Sequence, residues 1–301
     1  MGDGSRYRGK LYILISSFIF ALGYTSIKYS PLNYLEMGFL RAICSFFLSF
    51  LTARSKGTSL YGSADFVDKS LMRGICVAVS AIFINLSNKL ISVSIFGVMS
   101  RMKVFIAVIF DSTLLGMPFD IRILVLIVCS IFGVTLVICP SIYGIGDSQG
   151  LEISGTFMEY MGLLSTFGFM VFDCLSIVAL IKFAKSVPTE QNLFYSYALV
   201  CMISGILMTP SAPPESHDWT DYLYGIPTSL LFQLGNVIYF EGGKIEVNSG
   251  MIALLQTSVA VFAIAIEAIC FGKDVTFVNM LGCAIVCAAS IGAVLMKQAK
   301  R

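Results

Sequence analysis

Charged residues, histidine and tryptophan are scarce in this 301-residue chain. Only 13% of its residues are charged, and it has one histidine, His217, and one tryptophan. The sequence contains no GxSxG, HExxH, Walker-loop or Rossmann pattern, which argues against the enzyme classes that depend on those motifs. It also lacks a basic domain that could form a nucleic-acid-binding surface. We therefore predict that the chain is not an enzyme and has neither a cofactor nor a nucleic-acid partner.

The nine cysteines lack the spacing of a metal site or a disulfide framework. All of them fall inside or at the edges of apolar stretches, without a CxxC pair or a neighbouring histidine. Structural zinc sites and disulfide frameworks have recognisable spacings of their cysteines. We interpret these cysteines as small apolar residues in helix packing and predict no metal site.

Apolar residues dominate the chain. They make up 57% of the sequence, and the mean hydropathy is +0.86, whereas soluble domains are about 45–50% apolar. Ten stretches reach about the 20 residues that a helix needs to cross a bilayer. They are Lys10–Tyr29, Leu32–Ala53, Leu71–Ile91, Ser94–Leu115, Ile121–Cys139, Gly155–Ile181, Asn192–Met208, Tyr222–Phe240, Gly250–Phe271 and Phe277–Met296. The sequence predicts an all-α protein of the lipid bilayer whose binding chemistry lies inside the helix bundle.

Lysine and arginine are distributed unevenly between alternate loops. With both termini on one side of the membrane, that side takes fourteen of the twenty basic residues. The other side takes only Lys28, Lys89 and Lys273, and three more lie within the stretches. The positive-inside rule then predicts that both termini are cytoplasmic, which fits an even number of spans. A plasma-membrane and an internal-membrane location both remain open.

The second half of the chain repeats the organisation of the first. Val93–Gly116 aligns with Ser249–Gly272 at a fixed offset of 156 residues, so that Asp111 meets Glu267. Each half has five stretches, and this odd number means that the second half enters the membrane inverted. We predict ten transmembrane helices in two inverted five-helix repeats, an arrangement typical of secondary transporters. The repeats are assigned to residues 1–140 and 155–301, joined by an exterior linker, 141–154.

Three basic side chains lie deep within the stretches. A charge at the centre of a spanning helix costs about 2.5–3.5 kcal/mol on insertion scales, so each should find a partner or a cavity. Arg41 stays charged at any relevant pH and needs an anion, which is either a structural carboxylate such as Asp173 or a solute carboxylate or phosphate. Arg101 and Lys103 stand about 200° apart around one helix, so we expect one of them to face the cavity.

Three carboxylates are candidates for gating or proton coupling. Asp111 and Glu267 are exchanged by the inverted repeat, and Asp173 lies deep in the sixth stretch. A buried carboxyl group titrates closer to physiological pH than an exposed one, which suits a proton relay. The alternative for Asp111 and Glu267 is structural: each meets a loop amide or fills a packing defect.

Neutral amides form polar stripes on the third and eighth stretches. Asn85 lies on the third, and Gln233 and Asn236 share a face of the eighth. Asn85 and Asn236 correspond at an offset of 151 residues, which favours a cavity-lining role; bonds between neighbouring helices are the alternative. In the tenth stretch, Ala284 and Ala288 belong to a small-residue face that suits packing within the chain or, alternatively, a homodimer contact.

Several segments resemble the drug/metabolite transporter superfamily in its EamA-type branch. The matching pieces are Phe39-Leu40-Arg41, Arg73-Gly74, the run Ser92–Gly116 and its counterpart Val247–Gly272. Arg101-Met102-Lys103 is closer to the lysine-bearing fourth helix of nucleotide-sugar and triose-phosphate transporters in the same superfamily. One departure is Met117 after Gly116, where EamA-type sequences usually have an acidic pair.

The resemblance implies a central cavity between the two halves and alternating access to it. On that layout Lys103, Asn85, Gln233, Asn236 and Gln256 line the cavity, and two cations favour an anionic or zwitterionic solute. The leading hypothesis is a secondary carrier of a small organic metabolite, working by exchange or proton coupling. A nucleotide-sugar antiporter of an internal membrane and a non-transporting scaffold or receptor are the alternatives.

Overall fold

The chain is almost entirely helical. A computed structural model describes residues 3–28, 32, 34–60, 64–91, 96, 99–117, 121–138, 157–183, 187–208, 219–246, 248–272 and 275–295, and no strand occurs among them. Its helices are α1 (Asp3–Lys28), α2 (Tyr34–Ser55), α3 (Ala64–Leu90), α4 (Lys103–Leu114), α5 (Ile121–Ile138), α6 (Phe157–Phe183), α7 (Thr189–Met208), α8 (Trp219–Ile245), α9 (Ser249–Gln256), α10 (Ser258–Phe271) and α11 (Phe277–Leu295). The expected linker 141–154 and His217 lie outside the described residues.

Several of these helices are long and apolar enough to cross a membrane. Within the described ranges, six segments meet that criterion: Tyr7–Ile27, Glu36–Ser55, Val67–Ser87, Tyr160–Phe183, Ser249–Phe271 and Phe277–Leu295. Ile121–Val137 is a shorter apolar helix of the same kind. Because only helices and closed barrels satisfy their backbone hydrogen bonds in lipid, this pattern is that of a helical bundle in a bilayer. The prediction of an all-α, multi-pass membrane protein is confirmed, and the count of ten spans stays a prediction.

Helices of residues 1–140 pack mainly on helices of residues 155–301. The most extensive pairs are α3 with α6, α1 with α8, α5 with α11 and α2 with α7, and α4 packs on both α6 and α9. The largest buried apolar cluster lies between these helices, with Ile13 of α1, Leu180 of α6, and Phe240 of α8 fully buried. The two parts of the chain therefore share one core.

Glycine allows α5 and α11 to approach closely. A Cβ atom added at Gly133 would lie 2.9 Å from the carbonyl oxygen of Gly282, and one added at Gly282 would lie 2.6 Å from that of Gly133. By contrast, Ala284 and Ala288 lie on the exposed face of α11. The intrachain packing expected of the small residues in this helix is thus made through Gly282 and through Gly292, where an added Cβ atom would lie 3.1 Å from Leu126 on α5.

Two glycines that align in the repeat end their helices in the same way. Gly116 follows α4 with φ of 62°, and Gly272 follows α10 with φ of 63°. This left-handed conformation is open to glycine without strain and is a common way to end a helix. Both helix ends therefore depend on the absence of a side chain.

Candidate functional site

Two helical stretches that align in the repeat are interrupted near their middles. At Met102 the helix tightens, since Met102 N–H donates to Met99 at 2.9 Å and Phe105 N–H donates to Met102 at 3.0 Å. At Thr257 the same pattern recurs, with N–H groups bonding three residues back at 3.0 and 3.1 Å. Thr257 thus divides the ninth predicted stretch into α9 and α10. Mid-helix tightening of this kind often marks a functional position.

A buried polar triad joins the two interruptions. The Lys103 ammonium, one residue past Met102, donates to the Asp173 carboxylate at 2.7 Å and to the Gln256 side-chain oxygen at 3.1 Å. The exposed fractions of the Lys103 and Asp173 side chains are 11% and 25%. Since α4, α6 and α9 each supply one member, the triad connects both parts of the chain. Asp173, offered from sequence as a partner for Arg41, is instead the partner of Lys103.

Arg41 stacks on an aromatic ring. Its guanidinium carbon lies 4.5 Å from the centroid of Phe232 on α8. Within the described ranges, Arg41 makes no hydrogen bond or ion pair. Tyr24 of α1 meets the same Phe232 ring edge-on, with centroids 5.1 Å apart. A cation–π interaction thus takes the place of a structural carboxylate, one of the two partners considered for Arg41, and the other, a solute anion, stays a prediction.

Arg101 is half-buried and also lacks an anionic contact. Its Nε atom is buried without a hydrogen-bond partner in the described part of the chain. Burial dominates its electrostatic surroundings, and Tyr24 and the Asp173 carboxylate are close enough to interact with it. Arg101 therefore lies near the triad and near the Arg41 aromatic contact, without being neutralised by either.

Two of the polar amides predicted to line the cavity make interhelix contacts. Gln233 donates to Ser49 on α2 at 2.9 Å, and Asn236 donates to the hydroxyl of Tyr197 on α7 at 2.5 Å. Asn85 lies half-buried on α3. Gln233 and Asn236 lie on α8 one and four residues after Phe232, the ring that Arg41 contacts.

Asp111 clasps the beginning of α9. One carboxylate oxygen accepts from the Ser249 N–H at 2.8 Å and from its hydroxyl at 2.5 Å, and the other accepts from the Gly250 N–H at 2.7 Å. Asn248 caps the next N–H, that of Met251, at 2.7 Å. Asp111 thus meets backbone amides, close to the loop amide of the structural alternative, and its role in gating or proton coupling stays a prediction.

This clasp lies at the end of the bundle where α1 begins. A Cβ atom added at Gly9 would lie 2.9 Å from Ile245 Cβ, only four residues before Ser249. Glu267, the aligned partner of Asp111, is 7% exposed on α10. The residues that align with the clasped segment begin at position 93 and lie outside the described part.

Arg73 is a buried residue. The count of basic residues on the two sides of the membrane had placed it among the cytoplasmic ones, outside the helices. It lies inside α3, is 6% exposed, stacks 4.4 Å from the Phe240 centroid, and donates to Asn192 at 2.9 Å and Ser196 at 3.2 Å. The helix begins at Ala64, earlier than the apolar pattern indicated. The only sequence signal was the Arg-Gly pair in the resemblance. Among the described residues, no three His, Cys, Asp or Glu side chains gather as a metal ion would require.

Comparisons with known proteins give one curated relative and a shared fold. No protein-family model matches the sequence. The chain is 22% identical over 297 residues to human solute carrier family 35 member G1, covering 96% of this chain and 79% of that protein. It also superposes on a solved crystal structure with a TM-score of 0.77 at 15% identity, covering 97% of each chain. The chain is thus a multi-pass membrane protein similar, over nearly its whole length, to a solute carrier.

Proposed function

We propose that this protein is a secondary transporter that moves a small organic metabolite by alternating access. The solute is anionic or zwitterionic, and it moves by exchange or by coupling to protons. The observation that carries the proposal is the group of charged residues where two interrupted helices meet, with Lys103 bonded to Asp173 and Gln256. Interrupted helices at the interface of two repeats are where secondary transporters bind substrates and coupling ions.

Inverted repeats of residues 1–140 and 155–301 are part of the proposal. Exchanging the two halves would convert the α1–α8 pair into α6–α3, and both pairs are extensive. The same exchange relates Gly116 to Gly272, which have matching positive φ values. Met102 and Thr257, the two helix interruptions, stand 155 residues apart, one position from the repeat offset. These correspondences support an EamA-type arrangement, in agreement with the resemblance of the sequence segments.

The Asp111 clasp serves as the inner gate. With both termini cytoplasmic, as the distribution of basic residues favours, the beginning of α1 and the clasp lie on the cytoplasmic side. Rocking of the halves toward an inward-open state would separate α4 from α9 and so break the bonds from Ser249 and Gly250. We assign the equivalent outer role to Glu267. Asp173, in contact with Lys103, is the remaining candidate for proton coupling.

Uptake by reconstituted protein tests this proposal. Purified protein in proteoliposomes would be assayed with nucleotide sugars, phosphorylated sugars, amino acids and nucleobases, each with the same unlabelled solute preloaded in the lumen. We expect at least one class to accumulate by counterflow, and we expect Lys103→Gln to reduce it by tenfold or more, about the effect of removing one charged hydrogen bond. Lys56→Gln, which breaks an exposed pair with Glu190, is the matched control. Absence of counterflow with every class would favour a scaffold or receptor.

A further inference from the structure

Two of the three deep cations are left without an anion. Lys103 is neutralised by Asp173 at 2.7 Å. Arg41 and Arg101 have no hydrogen bond or ion pair with any side chain or backbone group of the described residues. Arginine cannot discharge itself by losing a proton, so these two positive charges are permanent.

The stacking of Arg41 leaves its hydrogen-bonding edge available. A guanidinium that lies over a ring contacts it through its flat face, while its N–H groups project from its rim. Phe232, the ring under Arg41, also packs against the edge-on ring of Tyr24. Among the described residues no group accepts a hydrogen bond from Arg41, so its donors remain available to bind a carboxylate or phosphate through two parallel hydrogen bonds.

Tyr24 links the two arginines. It is 47% exposed and lies four residues before the end of α1. Its ring contacts the Phe232 ring on which Arg41 lies, and Tyr24 is also close enough to Arg101 to interact with that residue. Because unpaired charges avoid lipid and face water-filled cavities, the shared surroundings of Arg41, Tyr24 and Arg101 fit an aqueous cavity inside the bundle.

The energetic balance of this region calls for a dianion. Each unpaired charge at the centre of a span costs about 2.5–3.5 kcal/mol. Lys103 is cancelled by Asp173 and the buried Arg73 donates to Asn192 and Ser196, so Arg41 and Arg101 are the deep cations that find no polar contact among the described residues. A solute that supplies one anionic group to each arginine removes both costs and forms two charge-assisted contacts. A monoanion or zwitterion would leave a net positive charge in the cavity.

We propose that Arg41 and Arg101 are the solute anchors and that the solute carries two anionic groups, carboxylates or phosphates. Lys103 acts as a brace between α4, α6 and α9 and does not hold the solute directly. This inference rests on the proposed transport function, whose cavity it uses, and it assigns distinct roles to cations that the sequence could not separate.

Thermal unfolding of the solute-free protein tests the roles directly. An arginine whose charge is compensated only by the solute lowers the stability of the solute-free protein. Arg41→Gln and Arg101→Gln should therefore raise the melting temperature. Lys103→Gln should lower it, because it leaves Asp173 without its cation. Arg54→Gln, at an exposed position at the end of α2, is the matched control and should change nothing. If either arginine variant lowers the melting temperature as Lys103→Gln does, that arginine is a structural residue and the proposal is wrong.

Ligand-induced stabilisation tests the chemistry. Succinate and inorganic pyrophosphate are the probes with two anionic groups, and acetate at equal ionic strength is the comparison with one. We expect larger melting-temperature shifts with a dianion, and an apparent affinity about tenfold weaker in Arg41→Gln and Arg101→Gln, in line with loss of one charged contact. The probe that gives the larger shift in melting temperature shows whether the site prefers carboxylates or phosphates. Dianions that stabilise no better than acetate, or variants that respond like the wild type, would overturn the assignment.

The two proposals can fail separately. Dianion binding that depends on Arg41 and Arg101, without counterflow of any solute, would keep the anion site and refute transport. Saturable counterflow of a neutral or cationic solute that survives both substitutions would keep transport and refute the dianion site.

Discussion

Asp111 accepts hydrogen bonds from the backbone N–H groups of both Ser249 and Gly250, at 2.8 and 2.7 Å. These two N–H groups are among those that a helix leaves unpaired at its beginning. In a bilayer such groups find no water, and the positive end of the helix dipole favours a carboxylate. One side chain of α4 thereby completes the first turn of α9.

Neutralising Asp111 should weaken the fold and favour the open inner gate. Asp111→Asn keeps the size of the side chain but turns one acceptor into a donor that faces an N–H group. We expect a loss of about 1–3 kcal/mol, the usual cost of an unsatisfied buried partner. Thermal unfolding of purified protein measures it. Asp68→Asn, at an exposed position on α3, serves as the control, and equal stability of the two variants would refute the clasp.

A methyl group at Gly250 should separate α9 from α4. A Cβ atom there would lie 2.6 Å from Val108 Cγ2 and 3.2 Å from the Asp111 carboxylate. We expect Gly250→Ala to cost about 1–3 kcal/mol through overpacking. Gly38→Ala makes a matched control, since nothing lies within 4 Å of its added Cβ. There the higher helix propensity of alanine should leave stability unchanged or raise it by about 0.5–1 kcal/mol. Denaturation curves in which Gly250→Ala is as stable as Gly38→Ala would contradict the close approach.

The Lys103–Asp173 pair should matter far more than a surface pair of the same chemistry. Removing one partner of a fully buried pair costs about 3–5 kcal/mol, and the quarter exposure of Asp173 reduces the expected cost of Lys103→Gln to about 2 kcal/mol. The Lys56–Glu190 pair lies at 2.5 Å with Lys56 59% exposed, and the hydrogen bond to Glu190 raises the pKa of Lys56. Lys56→Gln should cost under about 1 kcal/mol. The double variant Lys103→Gln with Asp173→Asn should recover part of the loss; a strictly additive cycle would mean that the pair does not interact.

Gly116 and Gly272 should respond equally to substitution. Both have φ near +60°, so alanine at either position would be strained by about 1–2 kcal/mol. Parallel losses in Gly116→Ala and Gly272→Ala are expected from unfolding measurements, with Gly38→Ala again as the unstrained comparison. A loss at only one of the two positions would weaken the correspondence between the halves.

The helices could be predicted from the sequence because spanning a bilayer needs a long apolar run, which is visible in one dimension. Which charged side chains pair with each other could not be predicted. From sequence, Asp173 was named only as a possible partner of Arg41, and it is the packing of α4 on α6 that brings Lys103 to it. Each helix reveals its own polar face, whereas the pairing depends on which faces meet across the two parts of the chain.

The interruption at Thr257 left no local signal either. Neither glycine nor proline occurs at that point, and the tightening accompanies contacts with other helices, such as the 2.6 Å hydrogen bond between the Thr257 and Ser130 hydroxyls. The contacts of Asp111 were easier to predict, because a carboxylate inside an apolar run has few possible hydrogen-bond donors. A contact with backbone amides was one of the two stated outcomes.

The most direct test of transport by alternating access is the initial rate of uptake into proteoliposomes as a function of solute concentration, with an empty and with a preloaded lumen. A carrier whose halves rock around one site should saturate, and its uptake should be faster when the lumen holds the same solute. A rate that rises linearly with concentration and ignores the luminal solute would indicate a channel and contradict the account.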